Sequence, residues 1–176
     1  IATEDERFYE HSGIDVRGTL RAMVYLGSKG GASTISQQLA KQLFHKEKTR
    51  GLARYTQKIK EWVIATRLEG QYTKKEILTM YFNQYDFNNN ADGIRSAAKI
   101  YFDKEPKNLK IEEGAMLVGM FKNSALYNPV KNKEGVTNRR NVVLAQMAKN
   151  NYLTQEQKDS LQQLPLKIKY TPESHN

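Results

Sequence analysis

Long stretches without proline constrain the fold of this chain more than any other sequence feature. The four prolines begin only at Pro106, and three of them lie after residue 128. Because proline breaks the interior of a helix, the remaining stretches can form long helices. Segments that alternate apolar and polar residues, as half-buried strands do, are absent. The sequence therefore predicts a mainly α fold.

The stretch from Gly51 to Glu69 shows the helical pattern most clearly. Largely apolar residues recur there at the spacing of one helix face, so we predict that they form a buried stripe. They are Leu52, Tyr55, Ile59, Trp62, Val63 and Thr66. Thr73 and Glu76 then match a capping box, which predicts a second helix start. Further helices are predicted at 16–26, 33–44, 91–102, 111–121, 137–149 and 154–163.

Two segments are typical of loops, because they are rich in glycine or in turn-forming asparagine and aspartate. They are residues 27–31 and 87–93. The helical pattern ends near Pro165. We therefore predict one domain over residues 1–164, with the start of a linker at 165–176.

Charge and cysteine content limit the kinds of partner and site. The chain has 28 Lys and Arg against 19 Asp and Glu, a formal net charge of +9. This surplus favours a polyanionic partner, and composition does not choose among nucleic acid, anionic lipid headgroups and a phosphate-bearing substrate. There is no cysteine, which excludes disulfides and thiolate metal sites. No window approaches the roughly 20 apolar residues of a membrane span.

A polar stripe follows the glycine-rich loop. On a helix, Thr34, Gln37, Gln38 and Lys41 share one face, and a helix start of this kind attracts anions. The alternative is a solvated face with Ser33 or Thr34 as the N-cap, and spacing alone favours that alternative. A Walker-type phosphate loop is absent, because its Gly-Lys-Ser/Thr ending is missing.

A second cluster lies on the long helix, where Arg54, Lys58 and Glu61 share a face and Lys60 adjoins them. It is either a surface ion-pair ladder or a site that holds a diphosphate beside an ionised or metal-bound carboxylate. Taken alone, its spacing favours the ladder.

A third cluster, residues 4–13, concentrates Glu, Asp, Phe, His and Gly. Glycosyl transfer to a sugar hydroxyl needs a carboxylate that removes the proton, and Glu4 and Glu61 are the pair we select for the task. The alternative is a helix start, since Thr3 and Glu6 also match a capping box.

Five motifs, taken in order, resemble those of the family 51 peptidoglycan glycosyltransferases over about 145 residues. The matching residues of the first three motifs are Glu4, Asp5, Phe8, His11 and Gly13, then Gly31 to Lys41, then Lys58, Glu61, Ala65, Leu68 and Glu69. Those of the last two are Lys74, Ile77, Leu78, Tyr81 and Asn83, then Arg139, Arg140, Val143, Leu144 and Met147. Gln57, Gln42 and Asn88–Asn90 depart from the pattern. Gln57 replaces a usual Arg, for which Arg54 or Lys60 can substitute.

The resemblance implies a lysozyme-like, two-lobed glycosyltransferase domain in which the smaller lobe docks on the membrane. It implies polymerisation of lipid II onto a growing lipid-linked glycan, with inversion and release of undecaprenyl diphosphate. The implied location is the extracytoplasmic face of the bacterial inner membrane, with an anchor outside this chain. The resemblance also allows a C-terminal transpeptidase domain and cell-wall synthesis proteins as partners; no nucleic acid is expected.

The resemblance also assigns roles within the site. Glu4 would be the general base, and Glu61 would orient the cations or a divalent cation (Mg or Mn), with no obligatory cofactor. The cations Lys41, Arg54, Lys58 and Lys60 would hold the diphosphate. Substrate-binding positions would further include Asp5, Phe8, Ser33, Thr34, Gln37, Gln38, Asn128 and Arg139.

Two other classes of function remain as alternatives. A lysozyme-like glycan hydrolase would share the helical fold and one catalytic Glu, but it would not need the lysine cluster. A basic helical module would bind nucleic acid with strong salt dependence and would not need Glu4.

Overall fold

The computed structural model describes residues 1–24, 33–44 and 51–171, and this part of the chain is mainly helical. The helices are α1 (Val16–Val24), α2 (Ile35–Phe44), α3 (Leu52–Gln71), α4 (Lys74–Gln84), α5 (Gly93–Phe102), a 3-10 turn (Pro106–Asn108), α6 (Ile111–Met120), α7 (Lys133–Lys149) and α8 (Gln155–Gln163). Within these residues there is no strand, and one isolated bridge joins Asp86 to Asp92. The prediction of a mainly α fold is confirmed.

Local capping explains where several helices begin. The capping box before α4 is confirmed, because Glu76 Oε2 accepts from the backbone N–H of Thr73 at 2.7 Å. Helix α7 starts four positions before the predicted residue 137, because Asn132 Oδ1 accepts from the backbone N–H of Gly135 and caps it. The predicted loop at 27–31 lies outside the described residues.

The chain divides into two compact units. The N-terminal unit contains residues 3–84 together with Ile1, and the C-terminal unit contains the residues from Tyr85 onward together with Ala2. In the N-terminal unit, α2 packs on α3 and α4. Its buried apolar residues include Ile35 and Leu39 of α2, Ala65 and Leu68 of α3, and Ile77 of α4.

The apolar stripe predicted on α3 is not buried, and this prediction was wrong. Leu52 and Tyr55 are 84% and 72% exposed, and Ile59 and Val63 are also exposed. The opposite face is the buried one, and its residues are Gln57, Glu61, Ala65 and Leu68. Periodicity identifies a face of uniform polarity, but it does not say whether protein or another apolar phase covers that face.

In the C-terminal unit, α7 packs on α6 and α8 around a core that includes Ala115, Val143, Leu144 and Leu153. Tyr101 anchors the predicted loop at 87–93, because its hydroxyl donates to the carbonyl of Phe87 at 2.7 Å. Burial raises the pKa of this tyrosine to about 12. Asn88, Asn89 and Asn90 in this loop all have positive φ, a conformation that asparagine tolerates better than most residues.

The described residues after Pro165 lie against α5. The N–H of Lys169 donates to the carbonyl of Tyr101 at 2.8 Å, and the N–H of Thr171 donates to that of Ile100 at 2.9 Å. The Lys169 ammonium also bonds to Asp103, and this bond, with that from Lys99, lowers the pKa of Asp103 to about 2. The linker beginning at residue 165 stays a prediction. None of the described helices is long and apolar enough to cross a membrane.

Candidate active site

The start of α2 is the structural centre of the N-terminal unit's candidate site. Thr34 caps this helix, because its hydroxyl oxygen accepts from the N–H of Gln37 at 3.1 Å. The same hydroxyl donates to the carbonyl of Gly13 at 2.7 Å. Asp5 Oδ2 accepts from the N–H of Ile35 at 3.0 Å. A helix start leaves its first N–H groups without backbone acceptors. Here the N–H groups of Ile35 and Gln37 are hydrogen-bonded by side chains of the first and second motifs, Asp5 and Thr34.

Asp5 and His11 form a buried pair within the first motif. His11 Nε2 lies 3.0 Å from both carboxylate oxygens of Asp5. On the other side of the ring, His11 Nδ1 accepts from the N–H of Gly13 at 3.2 Å. This network assigns the proton to Nε2, which donates to Asp5. The pair fixes the turn that carries Glu4 against the start of α2.

Lys58 and Glu61 approach the same helix start from α3. Lys58 Nζ donates to Glu61 Oε2 at 2.9 Å and to the hydroxyl of Ser33 at 2.8 Å. Glu61 is buried, and its other oxygen accepts from Gln57 Nε2 at 3.0 Å. The substitution of Gln57 for the usual Arg thus keeps a hydrogen-bond donor to Glu61 but removes a positive charge.

A further ion pair supports the site and received no role from the sequence. Lys74 Nζ lies 2.8 Å from Glu69 and donates to the carbonyl of His11 at 2.6 Å. The ammonium also lies 4.4 Å from the ring centroid of Phe8, within the range of a cation–π contact. Ser36 of α2 donates to Glu69. Lys74 and Glu69 both lie in motifs that the sequence analysis matched. That match was the signal from which a role in the site could have been predicted.

The predicted site residues differ in their exposure. The buried ones are Asp5, Phe8, Thr34, Gln37, Glu61 and Asn128. The half-buried ones are Glu4, Ser33, Gln38, Lys58 and Arg139. The exposed ones are Lys41, Arg54 and Lys60.

The start of α2 brings together residues from all three clusters that the sequence predicted. They are Asp5, Ser33, Thr34, Gln37, Lys58 and Glu61. Among the described contacts, none connects Lys41, Arg54 or Lys60 to this group. The substrate-binding roles of all these residues stay predictions.

Two predicted substrate-binding residues belong to the C-terminal unit. Asn128 Oδ1 accepts from the backbone N–H groups of Val130 and Lys131, at 3.0 and 3.2 Å. Arg139 Nε donates to the carbonyl of Gly119 at 3.3 Å, and its guanidinium lies 6.0 Å from the ring centroid of Tyr127. Within that unit, the described contacts of Asn128 stabilise a turn. The hydrogen bond from Arg139 joins α7 to α6.

The residues around Glu61 do not by themselves fit a metal ion. Both of its oxygens accept from protein donors, Gln57 and Lys58. Among the described residues, no three His, Asp or Glu side chains are grouped as metal ligands would be. The divalent cation stays a prediction, and we derive no catalytic step through it.

The fold and the site define a class of protein. A helical domain that gathers carboxylates and a lysine at one helix start has the groups needed to handle a sugar and a charged leaving group. A family model described as "Transglycosylase" matches residues 1–148, and this chain belongs to that family of enzymes.

The relatives of this chain are named as penicillin-binding proteins. Penicillin-binding protein 1A of Neisseria lactamica is 42% identical over 164 residues, which cover 90% of this chain and 20% of the relative. Penicillin-binding protein 1A of Vibrio cholerae is 39% identical over 174 residues, which cover 97% of this chain and 21% of the relative. The chain therefore spans about a fifth of the length of these relatives.

A solved structure supports the same fold. The crystal structure of penicillin-binding protein 1A from Haemophilus influenzae matches with a TM-score of 0.53 and 25% sequence identity. The match covers 76% of this chain and 17% of that one.

Proposed function

We propose that this domain is a peptidoglycan glycosyltransferase that polymerises lipid II into β-1,4-linked glycan and releases undecaprenyl diphosphate. Membership of the transglycosylase family supports the reaction class. The observation that carries the proposal is the Lys58–Glu61 pair, which is bound to Ser33 at the start of α2, where Asp5 of the first motif also accepts a hydrogen bond. This arrangement supplies a cation for a charged leaving group in the same unit as the motif that contains the proposed base.

Glu4 is the proposed general base. It takes the proton from the 4-hydroxyl of the acceptor N-acetylglucosamine as that oxygen bonds to the anomeric carbon of the donor. The bond from this carbon to the diphosphate oxygen breaks, and the diphosphate leaves with the electron pair and with inversion. Asp5 follows Glu4 directly and is bonded to His11 and Ile35, so the turn that presents the base is fixed from within.

Lys58 is the proposed electrostatic partner of the leaving diphosphate. An ammonium has three N–H donors, and the described contacts of Lys58 engage two acceptors, Ser33 and Glu61. The third donor remains for a phosphate oxygen, and 38% of the side chain is exposed. The buried carboxylate of Glu61 orients Lys58. The exposed cations Lys41, Arg54 and Lys60 add long-range attraction.

Gln37 is a proposed contact for the substrate. Its Nε2 donates to the carbonyl of Gly13 at 3.3 Å. Its Oε1 is buried and has no hydrogen-bond partner within the described residues. Because a buried acceptor rarely stays unpaired, a donor group of the sugar or of an ordered water is the partner that this atom lacks.

The exposed apolar faces of the N-terminal unit support membrane docking. On α1, Val16, Leu20 and Val24 are exposed at i, i+4 and i+8, with Arg17 and Arg21 beside them. On α3, the four apolar side chains of Leu52, Tyr55, Ile59 and Val63 are also exposed along one face. Helices with an apolar face and flanking arginine lie at the surface of anionic bilayers. We place this surface at the extracytoplasmic leaflet of the bacterial inner membrane, where lipid II is presented.

The α3 face gives a direct test of this docking. Replacing Tyr55 and Ile59 with Glu is expected to weaken binding to phosphatidylglycerol-containing vesicles more than tenfold. Each exposed side chain contributes about 1.5–3 kcal/mol when buried in an apolar phase. The control makes the same replacement with Glu at Val142 and Tyr152, which are exposed apolar residues of the C-terminal unit. Equal vesicle binding by the two double variants in a co-sedimentation assay would remove α3 from the docking surface.

The longer protein is proposed to contain an anchor outside this chain and a transpeptidase domain. The relatives are named for binding penicillin and are about five times as long as their match to this chain. Cell-wall synthesis proteins are the partners proposed for the assembled enzyme.

Labelled lipid II and labelled preformed glycan distinguish a polymerase from a hydrolase. In detergent or in bilayers, the chain is expected to lengthen glycan from lipid II and to leave preformed glycan intact. Shortening of preformed glycan without use of lipid II would instead identify a hydrolase. Salt-dependent binding of DNA or RNA, with neither reaction, would identify the nucleic-acid module.

A further inference from the structure

Arg140 is a buried cation of the C-terminal unit that the proposed reaction does not use. It lies on α7, is 1% exposed and is among the largest fully buried side chains. Its guanidinium donates to Asn141 Oδ1 from Nε at 3.1 Å and from Nη2 at 3.0 Å, and to the carbonyl of Gln162 at 3.2 Å. All of these acceptors are neutral. Among the described residues, none forms an ion pair with Arg140.

A buried guanidinium without an anionic partner is unusual, because desolvation of the charge is costly. Burial accordingly lowers the pKa of Arg140, and the nearby carboxylate of Glu112 acts in the opposite direction. An anion brought next to this guanidinium would offset the cost of its burial.

A cavity of about 170 Å³ adjoins Arg140. Its lining includes two further cations, Lys110 before α6 and Lys167 in the segment after α8. Both side chains are exposed, and neither is in an ion pair within the described part of the chain. Phe102 and residues 164–166 form an apolar wall. The three cations thus come from three separate segments of the unit.

Two carboxylates also line this cavity, and one of them is already neutralised. Both oxygens of Glu113 accept from Lys104 Nζ, at 2.7 and 2.8 Å, and one also accepts from the N–H of Lys110. Glu112 is the remaining acidic group. Three cations therefore face one uncommitted carboxylate, which leaves a surplus of positive charge.

We propose that this cavity binds a small oxyanion, a phosphate or carboxylate group carried on a short apolar carbon segment. Arg140 and the two lysines bind the oxygens, and the wall of Phe102 and residues 164–166 contacts the carbon. At about 170 Å³, the cavity has room for such a group. The site lies wholly within the C-terminal unit and does not depend on the proposed transferase reaction.

Thermal unfolding in inorganic phosphate, at ionic strength kept constant with chloride, tests the proposal. Saturable binding is expected to raise the Tm of the parent chain by about 3–6 °C at ten times Kd. The Lys110→Gln, Lys167→Gln double variant is expected to bind at least fivefold more weakly. The Lys107→Gln, Lys122→Gln double variant removes the same charge outside the lining and should behave as the parent does. Glu112→Gln should bind more tightly, because it removes the repelling carboxylate.

The Arg140 Nε–H resonance gives a second readout that does not require an Arg140 variant to fold. The chemical shift of this resonance should change when phosphate is added and stay unchanged when chloride is added. Acetate and vesicles of phosphatidylglycerol are the other two probes, and a selective loss by the lining variant identifies a carboxylate or a lipid headgroup as the oxyanion. Equal responses of the lining and control variants to all three probes would overturn the proposal. Weaker binding by Glu112→Gln would also overturn it, because Glu112 would then belong to the binding surface.

Discussion

Replacing Glu4 with Gln is expected to lower the rate of lipid II polymerisation by about 10²–10⁴-fold, the usual contribution of a general base. Glutamine has the size of glutamate but cannot accept the acceptor sugar's proton. The backbone turn around residue 4 should persist, because Asp5 holds it through His11 and Ile35. The measurement is the initial rate of glycan growth from labelled lipid II.

Glu10→Gln is the matched control for this experiment. Glu10 is an exposed carboxylate of the same motif segment, and its replacement removes the same charge. Its rate should stay within about twofold of the parent. Equal rates for Glu4→Gln and the parent would show that Glu4 is not the base.

Replacing Gly13 with Ala is expected to lower the free energy of unfolding by about 2–5 kcal/mol. Gly13 has φ +94°, where an L side chain is strained, and this costs about 1–2 kcal/mol. An added Cβ would lie 2.9 Å from the backbone C and O of Ala65 in α3. Because helix backbone cannot move as a flexible side chain does, the overlap adds about 1–3 kcal/mol. Urea unfolding of both proteins gives the difference.

Gly70→Ala is the control for the Gly13 substitution, and its effect should have the opposite sign. Gly70 lies within α3, and an added Cβ would have no neighbour within 4 Å. Alanine is favoured over glycine in a helix, so stability should rise by about 0.5–1 kcal/mol. Equal stability of Gly13→Ala and the parent would mean that the first-motif turn does not pack on α3 as described.

Disturbing the close contact between Gly13 and α3 would also affect the proposed active site. The Gly13 carbonyl accepts from Thr34 and from Gln37, so the turn positions two residues of the second motif. Gly13→Ala should therefore reduce polymerisation even under conditions where the variant remains folded.

Much of the fold followed from local sequence signals. The predicted capping residue Thr73 lies where helix α4 begins, because a side-chain cap is a contact within a few residues. The five motifs identified the family, since their order and spacing are a property of the chain itself. The N-cap position of Thr34 was also available from sequence, and the structure confirms it. The solvated face that went with this alternative is wrong, because Thr34 and Gln37 are buried.

The site depended on contacts that no local pattern contains. Asp5 and Ile35 are 30 positions apart, and Lys58 and Ser33 are 25 apart, yet each pair is hydrogen-bonded. The motifs supplied these residue types, but only the packing of α2 on α3 decided that they meet at one helix start. The bond from Gln57 to Glu61 likewise explains how a position that usually has Arg tolerates Gln.

The sequence by itself determined the mainly helical fold, the caps at Thr34 and Thr73 and the family, because these depend on residues close in the chain or on motif order. The tertiary structure decided which face of α3 is buried. The apolar stripe with Leu52 and Tyr55 is exposed, and the face with Gln57 and Glu61 packs inside. Hydrophobicity favours removal from water but does not specify whether protein or lipid replaces that water. Buried polar groups, in contrast, need partners at defined distances, and only the folded chain supplies them.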